Sequence, residues 1–419
     1  MQNVNNQPLT IKAASFSLLA ALLVYPFTIA GTNLFLALLL ITSLFSLDLM
    51  KYGWSICWHH YKPITIGILL IIGFNFIGSL WGPINDLAFH KMGKQINWLL
   101  IPIIIGLVYF KPSLRKHAFI WLSMGMFLHL IVCTLQYQGL LSIQGLGSHK
   151  DDATGFVGHL SFGFIYGIWA GALLVAAQSM TTIWRYICYA LALYAVVTIF
   201  MAQGRSGYIT TFACLTLVVF KVLYPGKWKH KLIALGVVIT ALSLFIATHP
   251  STQNKLKDTV AGVHAVIDGN WHSADLRLKI WVVSWEIWKE NPWFGVGTSG
   301  YPDAARKALA QGLKGDLEIR SDEEFVFYGH PHHEFLFALS RWGPLGLLAL
   351  TFLCFHWIRT GWRKDWEHDT MNAYLVTASG ISVVLHGLTE PSLNTRLETV
   401  FAIIVLAFGL SQNKAQKQT

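Results

Sequence analysis

Charged side chains are scarce in this chain of 419 residues: only 12% are Asp, Glu, Lys or Arg, while 54% are hydrophobic. A soluble globular domain carries about 25% charged residues, so the composition excludes an ordinary soluble protein. Apolar runs of about 17–20 residues recur from end to end instead, and each is long enough to cross a bilayer as a helix. The sequence therefore predicts an all-α polytopic membrane protein.

Cysteine is also rare, and none of the five cysteines lies in the long polar segment 249–333. A disulfide framework is therefore excluded there, even if the segment faces an oxidising compartment. Acidic residues are scarce within the apolar runs, which argues against a proton-coupled transporter. The chain also lacks a Walker loop, a dinucleotide fingerprint and a G-x-S-x-G elbow, so none of those chemistries is indicated.

The apolar runs predict about twelve transmembrane helices. Their expected bounds are 14–30, 32–48, 64–80, 96–110, 117–137, 158–178, 184–203, 207–223, 232–248, 334–358, 372–388 and 397–411. Pro344 predicts a kink or a helix start in the tenth span. Residues 1–248 would then hold helices 1–9, residues 249–333 a helical periplasmic segment, and residues 334–419 helices 10–12 with a cytoplasmic tail.

Positive charge is distributed unevenly over the short loops between these spans. With the N-terminus inside, the inner segments contain 16 Lys and Arg residues and the short outer loops contain 5. Cytoplasmic loops carry the excess of Lys and Arg, so both termini are predicted to be cytoplasmic. The long polar segment, Arg205 and the turn from Glu390 to Arg396 then share the outer face.

A histidine-rich stretch closes the polar segment, with His330, His332 and His333 followed by Glu334. Imidazoles where a polar domain meets a membrane indicate a proton-handling or ligand site, although a cluster that only anchors a helix end fits the pattern too. We expect His332 to begin the helix and His333 to lie about 100° around it. His333-Glu334 begins the zincin pattern H-E-x-x-H, but position 337 is Phe, so no metal site is expected.

Two arginines are candidate anion ligands. Arg205 lies in a short turn flanked by glycines, where a guanidinium could clamp a phosphate bidentately; snorkelling or a local carboxylate partner is the alternative. Arg277 and Trp281 share a helix face, which suits either a second anion contact beside an aromatic surface or a helix lying on the membrane interface. Asp151-Asp152 could bind a divalent ion with a sugar pyrophosphate, or form a solvated turn.

Three stretches together resemble the signature of the O-antigen ligase and polymerase superfamily. They contain QGRSG at 203–207, RLKIW with NPWFGVG at 277–297, and HHEFL with GPLG at 332–346. The chain departs from the family pattern at His333, where the family more often has Asn. By register, the key histidine of the family corresponds to His332.

This resemblance implies a glycosyltransferase-C-like membrane enzyme whose donor is a glycan on undecaprenyl pyrophosphate. An O-antigen ligase transfers that glycan to the outer core sugar of lipid A at the periplasmic face of the bacterial inner membrane. A polymerase transfers it to another lipid-linked repeat, and a protein O-oligosaccharyltransferase transfers it to Ser or Thr. The length and the single large outer loop look most like the ligase. A flippase or transporter of lipid-linked sugar is the alternative from another functional class.

The resemblance also implies roles for individual residues. His332 would be the general base for the acceptor hydroxyl, while Arg205 and Arg277 would neutralise the pyrophosphate, so that neither a metal nor a cofactor is needed. A single displacement would invert the anomeric configuration. The expected partners are the lipid-linked donor, the lipid A-core acceptor and membrane lipids, without nucleic acid. Further candidates for the substrate pocket are Trp281, Tyr301, His333, His159 and Glu390.

Overall fold

A computed structural model of the protein describes residues 8–142, 152–202, 204–223, 227–248, 250–268, 276–310 and 329–411. These residues form helices and contain no β-strand, which confirms the all-α prediction. The helices are α1 (Leu9–Val24), α2 (Ile29–Leu44), α3 (Leu47–His60), α4 (Lys62–Ile77), α5 (Asp86–Lys94), α6 (Leu100–Phe110), α7 (Leu114–Tyr137), α8 (His159–Ala177), α9 (Thr182–Met201), α10 (Arg205–Val218), α11 (Trp228–Thr248), α12 (Pro250–Ile267), α13 (Leu276–Glu290), α14 (Tyr301–Ala310), α15 (Glu334–Trp362), α16 (Thr370–Gly387) and α17 (Arg396–Leu410).

Several helical stretches are long and apolar enough to cross a membrane. Among the described residues there are six: Asp86–Phe110, Leu114–Tyr137, His159–Ala177, Thr182–Met201, Ser206–Leu223 and Glu334–Trp362. The bent pair α2 and α3 could add a seventh, and three shorter apolar helices begin at Leu9, Lys62 and Leu397. The chain is thus a multi-pass membrane protein by length and composition, whereas the count of twelve spans stays a prediction.

The second predicted span is shorter than expected. Helix α2 ends at Leu44, and α3 turns away from it by 100°. Helix α3 is amphipathic: it buries Leu49, Gly53 and Ile56 but carries His59 and His60 in its last turn. A helix with one polar face is more stable along a membrane surface, where that face contacts water, than across the apolar interior. The chain therefore bends where the sequence becomes polar.

Glycine contacts hold α8 and α10 close together. A Cβ on Gly163 of α8 would lie only 2.2 Å from the Cα of Gly207 on α10, so neither position has room for a side chain. One turn earlier, Gly204 packs against the carbonyl oxygen of His159, which would lie 2.3 Å from a Cβ there. The two helices therefore begin side by side.

Helix α15 is broken at Gly343 (φ 68°, ψ −165°), immediately before the proline that was expected to kink it. The expected kink is therefore confirmed. A break of this kind frees backbone carbonyls that lack an intrahelical partner. The carbonyls of Ser340 and Arg341 accept hydrogen bonds from the N–H groups of Val296 and Gly297, each at 2.9 Å. The turn after α13 is thereby docked onto α15.

A small hydrophobic core joins α13 and α14 to the start of α15. Its buried residues are Ile280, Val283, Ile287, Tyr301, Ala305, Ala308, Leu309 and Phe337. Because this core includes Phe337, the two helices are packed against the beginning of α15. That packing brings one face of α13 to the histidine-rich stretch.

Candidate active site

Two residues identified from the sequence, His332 and Arg277, contact the carboxylate of a third, Glu390. Nδ1 of His332 lies 3.0 and 2.9 Å from Oε1 and Oε2 of Glu390, which follows α16 in the chain. Nη2 of Arg277, on α13, donates to Oε1 of Glu390 at 3.1 Å. The side chain of Glu390 is 2% exposed and that of His332 is 16% exposed. We refer to these residues as the His332–Glu390–Arg277 cluster.

The charge of Glu390 is fixed by its partners. Burial alone would raise its pKa, but the hydrogen bond from His332 and the nearby positive charges of His332 and Arg277 outweigh burial, so the pKa lies below its usual value. Glu390 is therefore ionised at neutral pH and can only accept hydrogen bonds. Nδ1 of His332 must carry the proton that is shared with Glu390, so Nε2 is the ring atom that can accept a proton.

The backbone of His332 is in the left-handed region, with φ of 47°. This conformation is rare for a residue with a Cβ and, where it occurs, is often found at functional sites. The N–H of His332 donates to Nδ1 of His330 at 3.3 Å, and the two rings lie 4.0 Å apart between centroids. Helix α15 begins at Glu334, as the predicted span bound indicated, so the expectation that His332 begins the helix, with His333 about 100° around it, is wrong.

His333 caps the N-terminus of α15. It is the N-cap residue, with φ of −160°, and its Nδ1 accepts the N–H of Leu336 at 3.3 Å. Its ring meets Trp281 edge to face, with 5.2 Å between centroids. The change from left-handed to extended backbone sends the two histidines to different partners, and Glu390 pairs with His332. His333 and Trp281 stay predictions as pocket residues.

Replacing His333 by asparagine is expected to preserve transfer activity and to flatten the pH dependence of stability. Asn is an effective N-cap and can accept the same N–H. Burial lowers the pKa of His333 to about 4, whereas an imidazole in the unfolded chain titrates near about 6.5. Between these values the unfolded chain binds a proton that the folded chain does not. The wild type therefore loses stability as the pH falls from about 6.5 to 4.

The measurement is the melting temperature of wild type and His333→Asn in one detergent, from pH 7.5 down to 4.5. The variant should lose less stability on acidification. Some dependence should remain, because burial and the charge of His332 lower the pKa of His330 to about 4 as well. His60→Asn, on the exposed end of α3, is the control. Parallel curves for wild type and His333→Asn would show that the buried imidazole does not cause the effect.

The start of α10 lies at the same end of the helix bundle as the cluster. Nε2 of His386 donates to the carbonyl of Leu160 in the first turn of α8, at 2.8 Å. The N–H of Glu390 in turn donates to the carbonyl of His386 at 2.8 Å. Since α8 and α10 begin side by side, Arg205 starts its helix near this end. The Arg205 side chain lies outside the described residues, so its role as a phosphate clamp stays a prediction.

Two other candidate residues lie apart from the carboxylate. Nδ1 of His159 is 2.9 Å from Oδ2 of Asp152, at the start of α8; Asp151 lies outside the described residues. Tyr301 is fully buried in the core of α13 and α14, where its hydroxyl lies 2.6 Å from that of Ser284. Burial raises the pKa of Tyr301. The structure thus places His159 and Tyr301 outside the cluster, and their pocket roles remain predictions.

Sequence reasoning missed a buried polar network behind Glu390. Glu334 accepts the N–H of Leu393 at 2.8 Å and Nδ2 of Asn394 at 2.6 Å. Arg341 is 0% exposed and donates to Oδ1 of Asn394 and Oδ1 of Asn75, each at 3.0 Å. These bonds hold the turn that carries the Glu390 carboxylate. A signal was present: Glu334 and Arg341 lie seven residues, or two turns, apart in an apolar helix, where charges require partners.

The described residues contain no group of three or more His, Cys, Asp or Glu side chains arranged to hold a metal ion. The donor set of the cluster is one imidazole and one carboxylate that is already bound to a guanidinium. This arrangement suits proton transfer and anion binding better than metal coordination.

Residues 190–351 match the family model described as O-antigen ligase. The matched range includes Arg205, Arg277 and His332, whereas Glu390 lies beyond it. A comparison with curated proteins gives no match. The resemblance read from the sequence motifs is confirmed by the family match.

Proposed function

Because residues 190–351 match the O-antigen ligase family model, we propose that the protein transfers a glycan from undecaprenyl pyrophosphate to the outer core sugar of lipid A. The family match supports glycosyl transfer of the ligase or polymerase type in general. The observation that carries the proposal is the His332–Glu390–Arg277 cluster, which joins a base and a cation through one buried carboxylate. The proposed location is the periplasmic face of the bacterial inner membrane, with both termini in the cytoplasm.

The proposed reaction is a single displacement at the anomeric carbon of the donor. The acceptor hydroxyl oxygen forms the new glycosidic bond while the bond to the pyrophosphate oxygen breaks, and the bonding electrons leave with the pyrophosphate. Nε2 of His332 takes the hydroxyl proton, and Glu390 stabilises the resulting imidazolium through Nδ1. A positioned base of this kind contributes about 10²–10⁴-fold. Attack opposite the leaving group inverts the anomeric configuration.

The leaving pyrophosphate requires positive charge, and two arginines are proposed to supply it. The side chain of Arg277 is 30% exposed, so it can reach a ligand while it contacts Glu390. Guanidinium groups bind phosphate oxygens bidentately and stabilise negative charge that develops as the bond breaks. Arg205 is proposed as the second contact because it starts α10 at the same end of the bundle.

Exposed aromatic side chains beside α13 support a site at a membrane interface. Trp293 is 74% exposed and Phe294 65% exposed, in the turn that docks onto α15. The indole N–H of Trp81, after α4, donates to the carbonyl of Phe294 at 3.1 Å. Aromatic residues of this type collect at the boundary between lipid and water. Two lipid-linked substrates would meet at that depth.

The test of the proposed acceptor uses purified protein and an undecaprenyl-pyrophosphate glycan, offered separately with lipid A-core, a second lipid-linked repeat, or a Ser/Thr peptide. Product formed with lipid A-core is the expected result. Product formed only with the second repeat would establish a polymerase instead, and product formed only with the peptide a protein O-oligosaccharyltransferase. No bond formed with any acceptor would contradict the proposal.

Replacing either arginine by lysine is expected to impair transfer although the charge is kept. Lysine loses the planar fork that matches two phosphate oxygens. Arg205→Lys should be strongly impaired, and Arg277→Lys similarly but more mildly if aromatic packing around it shares the task. The measurement is the rate of transfer at saturating acceptor as donor concentration varies. Arg306→Lys, on α14, is the matched control. Full activity in both site variants would leave the proposed pyrophosphate clamp without support.

Transfer is expected to continue in EDTA, because the guanidinium groups supply the positive charge that a divalent ion would otherwise provide. The measurement compares initial rates before and after chelation and dialysis. A loss of activity that Mg²⁺ or Mn²⁺ restores would indicate that a divalent ion bound by Asp151-Asp152 or by the acids of 316–324 takes part in the reaction. Asp151 and residues 316–324 lie outside the described residues.

A further inference from the structure

Two adjoining cavities lie at the end of the helix bundle opposite the cluster. Helix α8 begins at His159, near the cluster, and ends about 28 Å away at Ala177. One cavity of about 920 Å³ lies there among the end of α8, residues 220–222 after α10, the start of α11, the loop between α15 and α16, and the start of α16. The other, of about 280 Å³, lies among α1, α7, α8, α16 and α17. Ala176, Ser179 and Met371 line both, so the two spaces are neighbours.

The larger cavity carries positive charge. Its lining includes Lys221 and Lys231. Nζ of Lys221 lies 3.9 Å from the ring centroid of Trp362, and Nζ of Lys231 lies 5.5 Å from that of Phe220. Neither lysine pairs with an acidic side chain among the described residues. Two ammonium groups with only aromatic contacts can receive an anion.

Other titratable groups also face the larger cavity. Glu367 and His368 line it, in the loop between α15 and α16. Nδ1 of His368 is 2.8 Å from Oδ2 of Asp365, and this carboxylate raises the pKa of the imidazole. Both residues of that pair are largely exposed to solvent. Among the side chains that line the cavity, two lysines stand against the single carboxylate of Glu367, so the lining has a net positive charge.

The smaller cavity is an apolar slot. Most of its lining is aliphatic or aromatic, including Trp169, Phe401 and Ile404. Arg115 and Lys116, in the first turn of α7, line the slot at the end next to the larger cavity. A space that is apolar along its length and basic at one end fits a molecule with a hydrocarbon chain and a negative headgroup.

We propose that these cavities bind one anionic phospholipid, with its phosphate at Lys221 and Lys231 and an acyl chain in the apolar slot. Basic pockets between transmembrane helices bind anionic headgroups in this manner. A free phosphate would leave the adjoining slot unfilled, and a zwitterionic lipid would not match the two ammonium groups. The site lies about one bilayer thickness from the cluster, so it is separate from the proposed donor and acceptor positions. The inference does not depend on the proposed transfer reaction.

The experiment measures the melting temperature of the full-length protein in detergent as lipid is added. The probes are phosphatidylglycerol, phosphatidylcholine with the same acyl chains, and glycerol phosphate as the free headgroup. Phosphatidylglycerol should raise the melting temperature in a saturable manner, and the other two should not. The Lys221→Gln/Lys231→Gln variant should need about 30-fold more phosphatidylglycerol for half the effect, since each lysine near a lipid phosphate contributes about fivefold.

Three further variants separate the proposed site from general effects. Lys221→Arg/Lys231→Arg keeps both charges and should respond like the wild type. Ala172→Phe, which fills the slot, should weaken the response to phosphatidylglycerol, while Lys51→Gln on α3 should not. Equal stabilisation by phosphatidylcholine would overturn the proposal in favour of unspecific lipid contact. Stabilisation by glycerol phosphate as strong as by the lipid would overturn the acyl-chain site.

Discussion

Replacing His332 by alanine is expected to slow glycan transfer by about 10²–10⁴-fold, the usual contribution of a positioned general base. The ionised carboxylate of Glu390 holds Nδ1 of this imidazole, and Nε2 remains available to accept the hydroxyl proton. Removing the ring leaves Arg277 and the substrate-binding surfaces in place. The loss should therefore appear in kcat, with little change in the donor concentration that gives half-maximal rate.

Because the backbone of His332 is left-handed, the alanine variant requires a folding control. Asn adopts this conformation more readily than most residues, so His332→Asn removes the base with less backbone strain. His332→Asn should melt closer to the wild-type temperature than His332→Ala, because Asn suits the left-handed backbone and can still donate to Glu390, and both variants should be equally inactive. His330→Ala and His333→Asn should retain transfer. Wild-type rates in His332→Asn would exclude base catalysis by this residue. Loss of transfer in His333→Ala alone would identify His333 as the general base instead.

Glu390→Gln is expected to lower kcat by at least about tenfold and by no more than the loss in His332→Ala. Gln preserves the size of the side chain but removes the charge that stabilises the imidazolium and pairs with Arg277. A second buried carboxylate of this region, Glu334, bonds to Asn394 and is not paired with His332, so Glu334→Gln is the matched control for a lost buried charge. It should lower the melting temperature more than it lowers kcat.

The double variant His332→Ala/Glu390→Gln distinguishes a positioning role from an independent one. If Glu390 acts through His332, the double variant should be no slower than His332→Ala alone, because residues that act as a unit are not additive. The measurement is kcat for wild type, both single variants and the double variant at saturating substrates. Multiplied losses in the double variant would show that Glu390 contributes to transfer without His332.

The sequence motifs indicated residues of the candidate site but not how these residues are arranged. Arg277 and His332 were identified from local patterns, and the break of α15 beside its proline was expected from the chemistry of the backbone. The pairing of His332 with Glu390 spans 58 residues and joins two loops, so no periodicity or spacing could specify it. The left-handed backbone of His332 was equally inaccessible, because it depends on how the helix start packs against neighbouring elements.

The helix assignments show the same limit. Hydropathy located α7, α8 and α9 within three residues, since long apolar runs need a lipid environment. It did not locate the 100° bend between α2 and α3, where a polar helix face decides the direction of the chain. The network of Glu334 and Arg341 was missed because both charges lie within the tenth predicted span, and their partners, Asn75 and Asn394, come from distant helix ends.

Glycan transfer is tested most directly by bond formation with the purified protein in proteoliposomes that contain the lipid-linked glycan and lipid A-core, without ATP or an ion gradient. Lipid A-core should gain the glycan, undecaprenyl pyrophosphate should be released in equal amount, and the configuration at the new anomeric bond should be inverted. His332→Asn in the same proteoliposomes should form almost no product. Movement of the intact lipid-linked glycan across the bilayer, with no new bond, would show that the protein is a transporter and not a transferase.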